Sequence, residues 1–199
     1  MSTDTTEDQA TSAPHGSNGR VKTVLHIGCN RKDKSALPQF FQSYDEIRLD
    51  IDAKVNPDIV ADMRDLSQLE DNSVDAIFSS HNIEHIFIHE VVPTLEGWHR
   101  ILRPGGVLDL RCPDIAPACK AIFEGKPFGP LYTSPAGPVT PIDMIYGYTR
   151  SLRRGNTFMA HKCGFTEEIL KACLPRAGFN KGGVTEGDST HELRAVVYK

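Results

Sequence analysis

Two short segments of this chain carry residue types that could do chemistry together. Val24-Leu25-His26-Ile27-Gly28-Cys29-Asn30 runs an apolar stretch straight into a glycine. A glycine turn lets a bulky ligand approach the backbone closely, because no Cβ stands in the way. About 20 residues later Glu46-Ile47-Arg48-Leu49-Asp50 ends on a carboxylate, which at the end of a neighbouring strand can accept two hydrogen bonds from a ribose diol. The pair predicts a nucleoside-containing cofactor lying across the strand ends.

A second cluster is His81-Asn82-Ile83-Glu84-His85, with His89 at the same interval. His-x-x-Glu-His is an inverted zincin pattern, in which His81 and His85 would share a helix face as zinc ligands and Glu84 would be the base. The context argues against it. The segment follows a predicted strand end, precedes Pro93 and has no obvious third ligand in a matching context, so no metal is assigned. Imidazole can accept a proton near neutral pH, which makes His81, His85 and His161 the catalytic candidates, weighed against packing roles of equal standing. Cys29 reads as a small apolar liner rather than a nucleophile, since no base is fixed beside it.

These residues need elements to position them. Apolar runs predict strands over 22–27, 46–50, 58–61, 73–79 and 107–111. Short helices are expected over 36–42 and 93–102, the latter with Pro93 in its first turn. Arg103-Pro104-Gly105-Gly106 reads as a tight turn, and Asp114 as the cap of a helix running to Phe123. A further helix is expected over 142–152. Thr166 would cap a last one over 167–175, stopped by Gly178, before two final strands over 181–186 and 192–198. Alternating strands and helices mean an open α/β sheet, mostly parallel, with an antiparallel hairpin at its C-terminal edge and helices on both faces. Only about seven residues (51–57) separate the second and third strands, whereas a parallel crossover normally needs a dozen or more.

At 199 residues the chain suits one domain with a substantial core. Residues 1–20 hold almost no large apolar side chain, which predicts a disordered tail and excludes a secretory signal; the domain proper spans 21–199. The net charge of −4 and pI near 6.0 argue against a nucleic-acid surface. No run approaches the ~18–20 apolar residues of a membrane span. Five cysteines without a Cys-x-x-Cys favour reduced thiols in a cytoplasm. Eight Pro and Gly between Gly125 and Pro141 mark a long excursion, and residues 125–163 are expected to form a lid or acceptor-site insertion.

The order of signals resembles the class I S-adenosylmethionine-dependent methyltransferases. The matching segments are Val24–Cys29, Leu49-Asp50-Ile51-Asp52, Ala61-Asp62-Met63, Asn72–Ile77, Ile83-Glu84-His85 and Trp98–Gly106, the last two being the most specific. Pro135–Pro138, Pro141–Gly147 and Met159–Thr166 look like a small, poorly characterised branch of predicted methyltransferases. The resemblance implies a Rossmann-like fold, S-adenosylmethionine as cofactor, and a small-molecule or glycan-related acceptor. It implies that Gly28, Cys29 and Asn30 line the methionine side, that Asp50 holds the ribose with Asp52 as second candidate, and that Ile51 packs on the adenine. Asp62 and Met63 would face the adenine edge and ring, and Ser80 and His81 the sulfonium.

The chain departs from that pattern twice. Asn30 stands where a second glycine is usual, and the helix between the second and third strands is missing. Both keep alive a catalytically silent module that binds nucleoside or a partner protein. An NAD-type oxidoreductase is disfavoured, because Gly28 is followed by Asn30 and Asp33 rather than by Gly-x-Gly-x-x-Gly.

Overall fold

β1 (Thr23–Ile27) and β4 (Val74–Ser80) lie side by side at the centre of a seven-stranded sheet. Alternation of side chains sorts each strand into two faces. Leu25, Ile27 and Ile77 join the larger core, while Val24, Ala76 and Phe78 face the other way. The computed structural model describes residues 19–30, 34–189 and 191–199, so nearly all of the expected N-terminal tail lies outside the described residues.

β2 (Asp45–Asp50) pairs parallel with β1, and β3 (Ile59–Val60) extends that side. β5 (Leu102–Pro113) pairs parallel with β4 on the other side. The last two strands, β6 (Lys181–Glu186) and β7 (Glu192–Tyr198), are antiparallel, and β7 sits between β5 and β6. The expected mixed sheet with an antiparallel C-terminal edge is therefore the observed one. The chain leaves β1 toward β2 on one side and returns through β4 on the other, so the strand order reverses between β1 and β4. Ligands bind at such reversals, beyond the carboxyl ends of the strands.

The helix α1 (Ile88–Ile101) lays Val91, Leu95, Trp98 and Ile101 into the larger core. It begins five residues before the expected start, and Pro93 lies inside it rather than in its first turn. Glu90 anchors the true start: its carboxylate accepts the Phe87 N–H at 2.8 Å. α5 (Glu167–Arg176) packs beside α1, with the Thr166 hydroxyl accepting the Ile169 N–H as expected of a cap.

Four expectations shift. Residues 36–42 form no helix but two 3₁₀ turns, Lys34–Ala36 and Gln39–Phe41, because Pro38 pushes Leu37 out of the helical region and brings no N–H. Phe41 and Tyr44 nevertheless seal the second face against Phe78 and Val24. Arg103–Gly106 is a bulge inside continuous β5: Val74 pairs with Leu102 and Ala76 with Val107. α2 (Ala116–Phe123) starts one residue late, with the Asp114 carboxylate accepting the Ala116 N–H at 2.9 Å. The expected helix over 142–152 is two, α3 (Pro141–Tyr146) and α4 (Thr149–Leu152), separated at Gly147, whose φ of +98° ends the first.

The short spacing leaves either a bare loop or a mere extended segment for the third strand; the link carries one 3₁₀ turn, Ala53–Val55, and β3 is only two residues long. Buried Arg48 staples the link by donating from Nη1 to the Asn56 carbonyl at 3.0 Å, and the Arg48 N–H donates to the Asp58 carboxylate at 2.8 Å. Side-chain-to-backbone hydrogen bonds thus brace the link where a helix is missing.

Candidate active site

Gly28 follows β1 with φ +67°. Its N–H donates to the Leu49 carbonyl at 2.8 Å, which turns the chain away from the sheet. The space a side chain would need is taken by Asn82, whose Oδ1 lies 1.9 Å from where a Cβ would be. Asn82 in turn donates from Nδ2 to the Ile27 and Ser80 carbonyls, both at 2.9 Å. It ties the end of β1 to the end of β4.

Asn30 adopts φ +51°. Asparagine tolerates the left-handed region better than other side-chain-bearing residues, so it performs the turn a second glycine would have made. Its N–H donates to Asp50 Oδ2 at 2.9 Å, while Asp50 Oδ1 accepts the Asp52 N–H at 2.9 Å. The Asp50 carboxylate is thereby fixed at the end of β2, and each oxygen keeps a further lone pair.

These residues border one cavity of about 670 Å³ beyond the strand ends. Of the sequence-derived cofactor residues, Gly28, Asn30, Asp50, Ile51, Asp52, Asp62, Met63, Ser80 and His81 line it. Cys29 does not. Its side chain turns inward and is buried, and burial raises its thiol pKa to about 11, which also removes it as a nucleophile. Asp62 is in addition held from within the protein, accepting from the Arg64 backbone at 2.9 Å and pairing with the Arg64 guanidinium at 2.6 Å.

Residues 27–109 match the family model described as a methyltransferase domain. The chain is also similar to a crystal structure of an S-adenosylmethionine-dependent methyltransferase from Mesorhizobium loti, at 20% identity over 90% of this chain and 91% of that one, TM-score 0.62. It is similar to a second from Archaeoglobus fulgidus, at 16% identity over 90% and 86%, TM-score 0.58. Residues 27–109 thus carry a match to a methyltransferase domain, and the described chain has the fold of these S-adenosylmethionine-dependent methyltransferases. A third similar structure, a 1,6-didemethyltoxoflavin N1-methyltransferase from Burkholderia thailandensis with bound 1,6-didemethyltoxoflavin and S-adenosylhomocysteine, is 17% identical over 92% of this chain and 72% of that one, TM-score 0.55. No curated protein matched by sequence.

The residues present fit the S-adenosylmethionine that these similar enzymes use: an anchored carboxylate, a side-chain-free turn and apolar walls border one cavity of suitable size. Ile51 is 46% exposed there and Phe158 60%, both presenting apolar surface at the cavity. Phe158 belongs to the segment Asn156–Met159, which with Lys162 forms a wall that sequence reasoning did not assign to the cofactor side. The signal was present in part, since Met159–Thr166 carries one stretch of the family resemblance. Asn82 was also missed; only its place between two singled-out histidines marked it.

The three histidines diverge. His81 has φ +56° and the following residues Ile83–His85 form a 3₁₀ turn, so His81 and His85 do not share a helix face and the zincin geometry does not occur. His81 Nε2 lies 2.9 Å from Glu192 Oε2, and Nδ1 lies 3.7 Å from Glu84 Oε1. Burial works against the charged imidazole, but the two carboxylates outweigh it and raise the pKa above the ordinary value. Two carboxylates beside the ring favour the protonated imidazole, which argues against His81 as a base. His89 stacks on Phe87, away from this group. His85 lines the cavity, and its ring centroid is 5.1 Å from that of His161.

The methyltransferase's 125–163 segment is more ordered than a bare lid. It holds a hairpin of two three-residue strands, Tyr132–Ser134 and Gly137–Val139, followed by α3 and α4. Among the described residues the five cysteines are free, and no helix is long and apolar enough to cross a membrane.

Proposed function

We propose that this methyltransferase transfers the methyl group of S-adenosylmethionine to a small-molecule or glycan-related acceptor in the cytoplasm. The observation that carries the reading is the Asp50 carboxylate, held by the Asn30 and Asp52 N–H groups in the lining of the cavity. Asp50 would accept the ribose hydroxyls, with Ile51 and Met63 against the adenine, the Gly28–Asn30 turn along the methionine moiety, and Ser80 near the sulfonium. When bound, the cofactor supplies an electrophilic methyl carbon and a neutral leaving group. The protein's part is alignment and exclusion of water, for which the 125–163 segment is the natural cover. The acceptor class is supported by the resemblance of 135–166 to the predicted branch and by the 1,6-didemethyltoxoflavin bound to the Burkholderia enzyme.

Calorimetry with S-adenosylmethionine, S-adenosylhomocysteine and NAD tests the reading. Both adenosyl ligands should bind and NAD should not. Asp50→Ala should weaken adenosyl binding roughly 10–100-fold, the loss expected when charge-assisted hydrogen bonds go. Absence of heat with both adenosyl ligands would refute the assignment. A labelled-methyl screen against small-molecule and oligosaccharide fractions of a cell extract then identifies the acceptor, and label found only in protein or nucleic acid would overturn that class.

A further inference from the structure

Glu84, His85 and His161 each bring one potential ligand atom to within 4.8 Å of the others. Their backbones are locked together. The Glu84 carbonyl accepts the Lys162 N–H at 2.8 Å and the Cys163 N–H at 3.3 Å, and the His161 N–H donates to the Tyr146 carbonyl at 3.2 Å. The 3₁₀ turn 83–85 and the extended segment 160–163 are therefore stitched side by side, and the cluster is built by the fold.

The hydrogen bonds settle which nitrogens remain. His85 Nδ1 lies 3.1 Å from the Ala160 carbonyl oxygen, and His161 Nδ1 lies 2.8 Å from the Met144 carbonyl oxygen. A carbonyl oxygen only accepts, so both Nδ1 atoms carry the proton and both Nε2 atoms carry a lone pair in the neutral ring. Glu84 is 2% exposed, and its Oε2 has no hydrogen-bond partner. Each of the three residues thus keeps a lone-pair donor, and the neighbouring His81 meets only the other Glu84 oxygen, Oε1, at 3.7 Å. A buried carboxylate oxygen left unpartnered costs several kcal/mol by general expectation, unless something positive completes it.

We propose that Glu84, His85 and His161 bind one divalent transition-metal ion, with zinc the ion of choice. Two imidazoles and one carboxylate are a standard donor set for zinc, and three protein ligands leave a fourth position open. The Nδ1–carbonyl bonds are the outer contacts that metal-bound histidines characteristically make, fixing ring orientation and tautomer. His85 also lines the cofactor cavity, so the ion sits in its wall. The ligand set differs from the one the His-x-x-Glu-His spacing offers: His81 is engaged by Glu192, and its place is taken by His161 from a segment 76 residues beyond His85 in the chain. The ion's role rests on the methyltransferase reading: its open position would hold an oxygen or nitrogen of the acceptor beside the methyl donor.

The test uses the whole chain. The protein is stripped with chelator, dialysed, and titrated by calorimetry with Zn²⁺, and in parallel with Co²⁺ followed by visible absorption. One ion per chain is expected, with the absorption bands of a low-coordinate cobalt site. His161→Ala and Glu84→Gln should each weaken Zn²⁺ binding by at least about 100-fold, the upper end of the loss seen when only an outer contact is removed. His161→Gln serves as a second variant if His161→Ala does not fold, and S-adenosylhomocysteine binding reports both folding and the cofactor site independently. Unchanged Zn²⁺ affinity in both folded variants, or no binding of either metal to the unmodified protein that still binds S-adenosylhomocysteine, would overturn the proposal. Zn²⁺ binding by a protein that takes up neither S-adenosylmethionine nor S-adenosylhomocysteine would instead sustain the site and refute the role assigned to it.

Discussion

Gly28 and Asn82 are mutually exclusive with any side chain between them: a Cβ on the glycine would stand 1.9 Å from the amide oxygen of the asparagine. The glycine turn is therefore a socket for a side chain at the end of the neighbouring strand as well as an approach path for a ligand. Gly28→Ala should cost about 2–3 kcal/mol, combining the strain of φ +67° with the clash. Asn82→Ala should cost about 1–3 kcal/mol through the carbonyls it leaves unpaired. In the double variant the clash disappears, so the two losses should be clearly less than additive. Chemical denaturation of the four proteins measures the coupling; strict additivity would show that the pair does not interact.

The residue after next, Asn30, gives a prediction of the opposite kind. Because it already holds φ +51°, Asn30→Gly should be neutral to slightly stabilising and should leave adenosyl affinity within about threefold. Asn30→Ala keeps the Asp50 hydrogen bond, which comes from the backbone, but meets the left-handed strain at about 1–2 kcal/mol. Denaturation midpoints and calorimetry on both variants check this. A large affinity gain in Asn30→Gly would mean that the departure from glycine does weaken the site.

Asn30 also shows what a sequence can and cannot carry. The strands, the carboxylate at the end of β2 and the glycine turn were legible because each is a local pattern: an apolar run, a terminal charge, a single special residue. Asn30 read as a defect because its φ is set by the turn and not by its own letter. The helix expected over 36–42 failed because Pro38 outweighs an apolar pattern. Cys29 lies beyond the end of β1, in the turn that Gly28 opens, so no strand pattern could place its buried side chain. The Glu84–His85–His161 group was invisible for a different reason. The motif spacing offered His81 and His85, but a 3₁₀ turn separates them, and His161 reaches Glu84 only because two distant segments pair along their backbones.

Asp75 links the start of the domain to β4, and its ionisation should show in acid stability. Its carboxylate accepts from the Arg20 guanidinium and from the Thr23 N–H, both at 2.8 Å. Burial alone would raise its pKa; the Arg20 and Thr23 hydrogen bonds outweigh that and hold it below the usual carboxylate range. The folded state therefore binds this proton less readily than the unfolded chain, whose aspartates titrate near ~3.9. The stabilisation is complete above that value and is lost as pH falls through the lower folded pKa. Asp75→Asn should destabilise by about 1–3 kcal/mol at pH 7, and the gap to the unmodified protein should narrow below about pH 4. Urea midpoints across pH 3–7 give both numbers, and a gap independent of pH would remove the charge from the explanation.

Phe158 and Ile51 should act on binding rather than on folding. Both border the cofactor cavity, yet they are 60% and 46% exposed, so the free protein gains little from their burial. A bound adenosyl group would cover them, and at about 25 cal/mol per Å² some 40–60 Å² of newly covered apolar surface contributes roughly 1–1.5 kcal/mol. Phe158→Ala and Ile51→Ser should each weaken adenosyl affinity about 5–10-fold. Their denaturation midpoints should stay close to the unmodified value, because surface substitutions away from special features usually move stability by under about 0.5 kcal/mol. The opposite pattern, lost stability with unchanged affinity, would place both side chains in the fold of the 156–162 wall and take them out of the cofactor site.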